Sequence, residues 1–147
     1  MLHGDARLSK SSPLEYLESF LKEYSPPNLK NKWVMFDQGG ELAGNPDIHN
    51  LFKKYGYSVY HTGGYSSNLN GPVERAHKTV ADSIKAVLLG AGLKVKFWPY
   101  AFYHVLRIRN AIPGAGQDVS SLFLFTGKKD NFKNLRVFGC RVIVPPL

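Results

Sequence analysis

A mixed α/β chain is predicted from three observations. Two short apolar runs, "WVMF" at 33–36 and "YSVYHT" at 57–62, are bounded by turn-forming residues, as buried strands are. Several longer stretches repeat apolar residues at helical spacing. The strands lie in the first half and the helices dominate the second, which points to α/β or α+β architecture. The 147 residues suffice for one domain with a real core, and an apolar content of 44% argues for a folded protein.

The elements follow in order. "PLEYLESFLKEY" (13–24) places Leu14, Leu17, Phe20 and Leu21 on one helical face. Ser12 reads as its N-cap, Pro13 as the first helical residue and Glu15 as a first-turn acid. "SPPNLKN" ends this helix, and "WVMF" follows as a buried strand. "NPDIHNLFKKYG" (45–56) is a second helix, capped by Asn45, opened by Pro46 and stopped by Gly56. After the second strand, "GGYSSNLNG" (63–71) has three glycines and little to bury, and reads as a mobile loop.

A long helix then starts at Pro72, with Val73, Ala76, Val80, Ile84, Val87 and Leu88 as its apolar face. Another starts near Trp98, with Pro99 in its first turn and Ala101, Phe102, Val105, Leu106 and Ile112 on its buried side. "SSLFLFTGKK" is a short helix or turn, and "RVFGCRVIV" (136–144) is the last candidate strand.

Charge separates the two halves. Residues 1–71 carry seven Lys/Arg and seven Asp/Glu; residues 72–147 carry twelve and four, so the whole net charge of +8 lies in the second half. That asymmetry suits a polyanionic partner, nucleic acid above all, although a generally basic protein shows the same balance. No apolar run approaches the roughly 20 residues that span a bilayer, and "MLHGDARLSKSS" lacks the apolar stretch of a secretory signal. The single cysteine, Cys140, excludes an internal disulfide and fits a reducing compartment.

Two carboxylates carry the candidate chemistry. In "KWVMFDQGGEL", Asp37 closes an apolar run and two glycines come next. A strand stopping at a turn accounts for this, and so does a carboxylate displayed at the carboxyl end of a strand, where α/β proteins place chemistry. Glu74, in "NGPVERAHK", is expected in the first turn of the long helix, a position the helix dipole alone would favour. Together such carboxylates suit Mg²⁺, a hard ion that prefers oxygen ligands. Two ions of this kind serve phosphodiester chemistry. Arg75, Lys78 and Lys85 are available to hold a phosphate backbone without reading its sequence. The five histidines (His3, His49, His61, His77, His104) are scattered along the chain, and no metal site is expected of them. His77 reads as a surface residue and His104 as a packed core residue. "GKKDNFK" lacks the spacing of a phosphate-binding loop.

Four segments occur in a telling order: "FDQGGEL", "GYSSNLNGPVERAHKTV", "FWPYAFYHVLRIRNAIP" and "TGKKDNFKNLRVFGCRVIV". Over roughly residues 8–147 the chain resembles the integrase of copia-type LTR retrotransposons. The resemblance implies a catalytic core at 8–115 and a post-core segment at 116–147. It implies a partial RNase H-like fold, a short β-sheet packed by several α-helices, with the first strands missing. It further implies a triad of two aspartates and a glutamate that binds Mg²⁺ or Mn²⁺, cuts element ends and joins them to target DNA. Asp37 matches the second aspartate and Glu74 the glutamate, with 36 residues between them, close to the family spacing. Asn70, Gly71 and Arg75 match the same motif as Glu74, and Lys78 matches a helix position that faces viral DNA in related integrases. Lys85 is added as a further nucleic-acid contact from its place on that helix. The family implies DNA as partner, allows a homo-oligomer, and places the protein in nucleus or cytoplasm, neither secreted nor in a membrane.

Three departures shape the expectation. Gln38 stands where the family usually has Asn, and the loop before Asn70 lacks its usual Pro and Gln. The first aspartate should lie on an earlier strand; Asp5 has no apolar strand around it and stands too near the first helix. The expectation is a 5′-truncated integrase core with little or no strand transfer alone. The alternatives are a non-catalytic nucleic-acid-binding or protein-interaction remnant, and a nuclease that receives its missing aspartate from another chain.

Overall fold

A computed structural model describes residues 1–7, 12–25, 30–36, 40–61, 67–129 and 131–143; for Gly40, Glu41 and residues 67–70 it describes the backbone alone. The protein is mixed α/β: among the described residues the strands form a two-stranded parallel sheet, and helices dominate the second half. It divides into two compact units: Arg7–Arg75, and Met1–Ala6 together with Ala76–Leu147.

In the first unit, α1 (Leu14–Tyr24) precedes β1 (Lys32–Phe36), and Asn31, immediately before β1, takes φ 62°. A four-residue helix, α2 (Gly40–Ala43), leads to α3 (Pro46–Lys54), and β2 (Tyr57–His61) follows. The strands pair in parallel, with Val34 opposite Val59 and Phe36 opposite His61. A parallel pair needs a crossover, and α2 and α3 supply it. Asn45 caps α3 as expected, its side chain accepting from the Asp47 N–H at 3.0 Å. Gly56 takes φ +79° and stops it, a conformation that costs glycine nothing.

Leu21, Phe36, Ile48, Leu51 and Phe52 form the core of this unit, with Leu14, Leu17, Phe20, Val34 and Val59 packed against it. The four residues assigned to the apolar face of α1 all belong to this cluster. The start of α1 differs by one residue from the expected Ser12 cap: Pro13 is the N-cap, and it makes no side-chain cap. Ser12 instead accepts a long contact from the Asn45 amide, at 3.5 Å. Parallel strands are ordinarily covered on both faces. Here the face carrying Trp33, Met35 and Tyr60 is open, with Trp33 61% and Tyr60 57% exposed.

The long helix α4 (Ser67–Gly90) begins five residues before Pro72, which lies inside it. The expected loop at 63–71 therefore yields its last five residues to helix, and 62–66 lie outside the described residues. Proline at the first helical position is a preference that this helix does not follow; Pro72 simply withholds one i→i−4 hydrogen bond.

In the second unit, a 3₁₀ turn at Val95–Phe97 leads into α5 (Trp98–Ala111). Val80, Val105 and Leu106 form the core here, joined by Ile84, Val87, Phe102 and Leu2. Two expected core residues are exposed: Val73, and Ile112, which stands past the end of α5 as its C-cap. The N-terminal residues lie along α5. Asn110 grips the peptide of Leu2 twice, accepting from its N–H at 2.7 Å and donating to its carbonyl at 2.6 Å. The Tyr103 hydroxyl accepts from the Ala6 N–H and donates to Asp5.

A short helix, α6 (Ser121–Thr126), is capped by Ser120 and closed by Gly127 at φ +70°. Where a last strand was expected at 136–144, no strand forms among the described residues. The chain turns at Gly139 (φ +77°), and a Cβ there would stand 2.6 Å from the Ala91 methyl. Close packing against the end of α4, with a left-handed residue in the middle, is incompatible with a continuous strand.

Candidate functional site

The sequence places its chemistry on α4 and at the carboxyl end of β1. At about 100° per residue, Glu74, Lys78 and Lys85 fall within about 40° of one another around α4. They form a stripe about 16 Å long. All three are exposed, while Val80 and Leu88 turn into the protein. One helix face thus presents a carboxylate followed by two ammonium groups; the core residue Val80 lies about 120–160° around the helix from them, while the buried Leu88 borders the stripe, about 40° from Glu74.

The helix start moves Glu74 out of the first turn and into the third, so the dipole explanation for a carboxylate there loses its force. Among the described residues neither Glu74 nor Lys78 makes an ion pair. Lys85 lies 3.5 Å from Asp82, an exposed i,i+3 pair of little strength. Arg75 is exposed, and its guanidinium folds back over Gly71, with Nη1 3.2 Å from where a Cβ would be. Asn70 lies in the first turn of α4, where the backbone alone is described. His77 is exposed on the same helix, as expected.

Asp37 lies outside the described residues; the strand that leads to it, β1, ends at Phe36 as expected. Glu74, Lys78 and Lys85 are brought together by one helix. Among the described residues no group of three or more His, Cys, Asp or Glu is placed to hold a metal ion. Glu74 has the right donor chemistry for Mg²⁺ or Mn²⁺: hard oxygen atoms, exposed, with no ion pair among the described residues.

The carboxyl end of the sheet holds a feature that sequence spacing did not reveal. The rings of His49 on α3 and His61 at the end of β2 are 5.1 Å apart. Both flank Phe36, which stacks on His49 at 6.0 Å and lies 6.3 Å from His61. The His49 Nε2 is buried and has no hydrogen-bond partner among the described residues. Eleven residues lie between these histidines in sequence, and only the parallel crossover brings them together. His104, expected as a packed core residue, is half-buried, 5.3 Å from the Phe138 ring. Burial, and secondarily the Arg107 charge, pushes its pKa down. No helix among the described residues is long and apolar enough to cross a membrane.

Two proteins of Arabidopsis thaliana are similar to this chain. The retrovirus-related Pol polyprotein from transposon RE1 is 31% identical over 106 residues, and that from transposon RE2 is 29% identical over the same length. Each similarity covers 71% of this chain and 7% of the relative. The chain therefore spans a small part of the length of the relatives it matches, and the likeness supports a retrotransposon Pol region. No family model matches the chain.

Proposed function

We propose that this chain is a nucleic-acid-binding segment of a retrotransposon integrase catalytic core, with a partial RNase H-like fold over residues 8–115. The observation that carries the reading is the stripe on α4. Glu74, Lys78 and Lys85 share one exposed helix face, in a chain similar to retrotransposon Pol polyproteins. The two-stranded parallel sheet, with one apolar face open, agrees with a fold whose remaining strands lie elsewhere.

Lys78, Lys85 and Arg75 hold the phosphate backbone of DNA, and Asn70 assists from the start of α4. These contacts position a duplex and read no sequence. Asp37 and Glu74 are the carboxylates that would hold Mg²⁺ or Mn²⁺. Such an ion, when bound, supplies charge stabilisation at a phosphodiester. The 147 residues offer two of the three carboxylates such a site uses, so strand transfer needs a third from outside them.

A joining assay with labelled element-end and target duplexes tests this in Mg²⁺ and in Mn²⁺. The chain alone gives no strand-transfer product, although it retards the duplex. Efficient joining by the chain alone, abolished by Glu74→Gln, refutes the need for a third carboxylate. Failure to retard any duplex at low salt refutes the nucleic-acid reading and favours a protein-interaction remnant.

A further inference from the structure

We infer that His49 and His61 form a binding site for a borderline-soft divalent cation of the Zn²⁺ class. Three observations converge. The first is distance: the two imidazole rings are 5.1 Å apart. Two imidazoles bound to one tetrahedral Zn²⁺, with Zn–N bonds of about 2.0–2.1 Å, place their ring centres roughly 5 Å apart.

The second is an orphan. The His49 Nε2 is buried without a hydrogen-bond partner among the described residues. Buried polar atoms are nearly always paired, and an exception points to a water or ion that belongs there. A neutral imidazole nitrogen offers a lone pair, which is what a metal ligand needs.

The third is rigidity. Phe36, itself buried, stacks against the His49 ring with the planes 2° from parallel. Phe52 meets Phe36 edge-on at 5.5 Å, so the wall behind His49 is part of the core. His61 is held by strand pairing directly opposite Phe36. One ligand thus comes from a core-facing helix and the other from a strand end, both on regular elements. Binding at such a place orders little that is not already ordered.

Imidazole selects Zn²⁺, Ni²⁺ or Cu²⁺ over Mg²⁺, which demands oxygen and keeps its water. With two protein ligands among the described residues, water or a ligand oxygen completes the coordination. The site is therefore open and weaker than a four-ligand structural zinc.

The test titrates the full chain with ZnCl₂ and follows the histidine ring nitrogens by ¹H–¹⁵N NMR. The expected result is a saturable one-to-one shift confined to the His49 and His61 rings. His61→Ala, a change at an exposed position, loses about tenfold or more in Zn²⁺ affinity. His49→Gln does the same, and Glu74→Gln leaves the affinity unchanged. The inference is overturned if the unmodified chain shows no saturable shift, since a water then satisfies Nε2. It is equally overturned if His61→Ala binds Zn²⁺ as well as the unmodified chain, or if Glu74→Gln loses the ion.

Discussion

Replacing Lys78 with alanine should weaken duplex binding by an amount that depends on salt. Lys78 is exposed on α4, one turn beyond Glu74, and makes no ion pair among the described residues. Its charge is therefore available to a phosphate. Each phosphate contact on duplex DNA contributes about 0.9 to the slope of log K against log salt. Between 50 and 200 mM KCl one such contact is worth a factor of about 3.5 in affinity. Lys78→Ala should thus reduce the slope by about 0.9 and its cost should shrink as salt rises. Folding stability should change by less than about 0.5 kcal/mol, because the side chain is exposed and alanine is the better helix former. Fluorescence anisotropy of a labelled duplex across that salt range measures both quantities. Lys53→Ala, on α3, is the control for charge in general. If Lys78→Ala leaves the slope unchanged, or Lys53→Ala lowers it equally, the α4 stripe is not the DNA contact.

Other expected outcomes concern the two cores and one titrating group. Ile48 is fully buried, and Ile48→Ala should cost about 2–5 kcal/mol in a urea unfolding experiment; a loss under 1 kcal/mol would contradict the packing around α3. Gly139→Ala must take a left-handed conformation worth about 1–2 kcal/mol against a side chain, and it also meets the Ala91 methyl. Its melting temperature should fall, and an unchanged one would show that this turn is absent. His104 has a folded pKa below its ordinary value of 6.5, so the unfolded chain takes up its proton first as the pH falls. Its contribution to stability is complete above about pH 6.5 and is lost as the pH falls through the folded value. Thermal unfolding followed between pH 8 and pH 5 should show this loss, and His104→Gln should make the profile flatter.

Local signals were legible where they acted locally. The apolar spacing of Leu14, Leu17, Phe20 and Leu21 identified the face that α1 buries, because helical periodicity and packing agree there. Asn45 and Gly56 marked both ends of α3, since a cap and a left-handed stop act through their own backbone. The start of α4 was not legible. Pro72 and three glycines spoke for a loop, yet the helix extends back to Ser67. The apolar run at 136–144 read as a strand, but no partner strand pairs with it among the described residues and Gly139 turns it. The four residues of α2 are too few to carry a periodic signal.

The candidate site divides the same way. The shared face of Glu74, Lys78 and Lys85 follows from helical spacing alone, and the helix places all three on the surface. The pairing of His49 with His61 depends on strand register, which no local pattern specifies. The open face of Trp33, Met35 and Tyr60 follows from no local pattern in the sequence.

The most direct measurement of the integrase reading is Mn²⁺ binding by the purified chain, followed by the loss of free-ion EPR signal. The account predicts weak one-to-one binding that Asp37→Asn and Glu74→Gln each abolish, while His61→Ala leaves it unchanged. Mn²⁺ binding that survives both carboxylate substitutions, or none at millimolar ion in the unmodified chain, would contradict it.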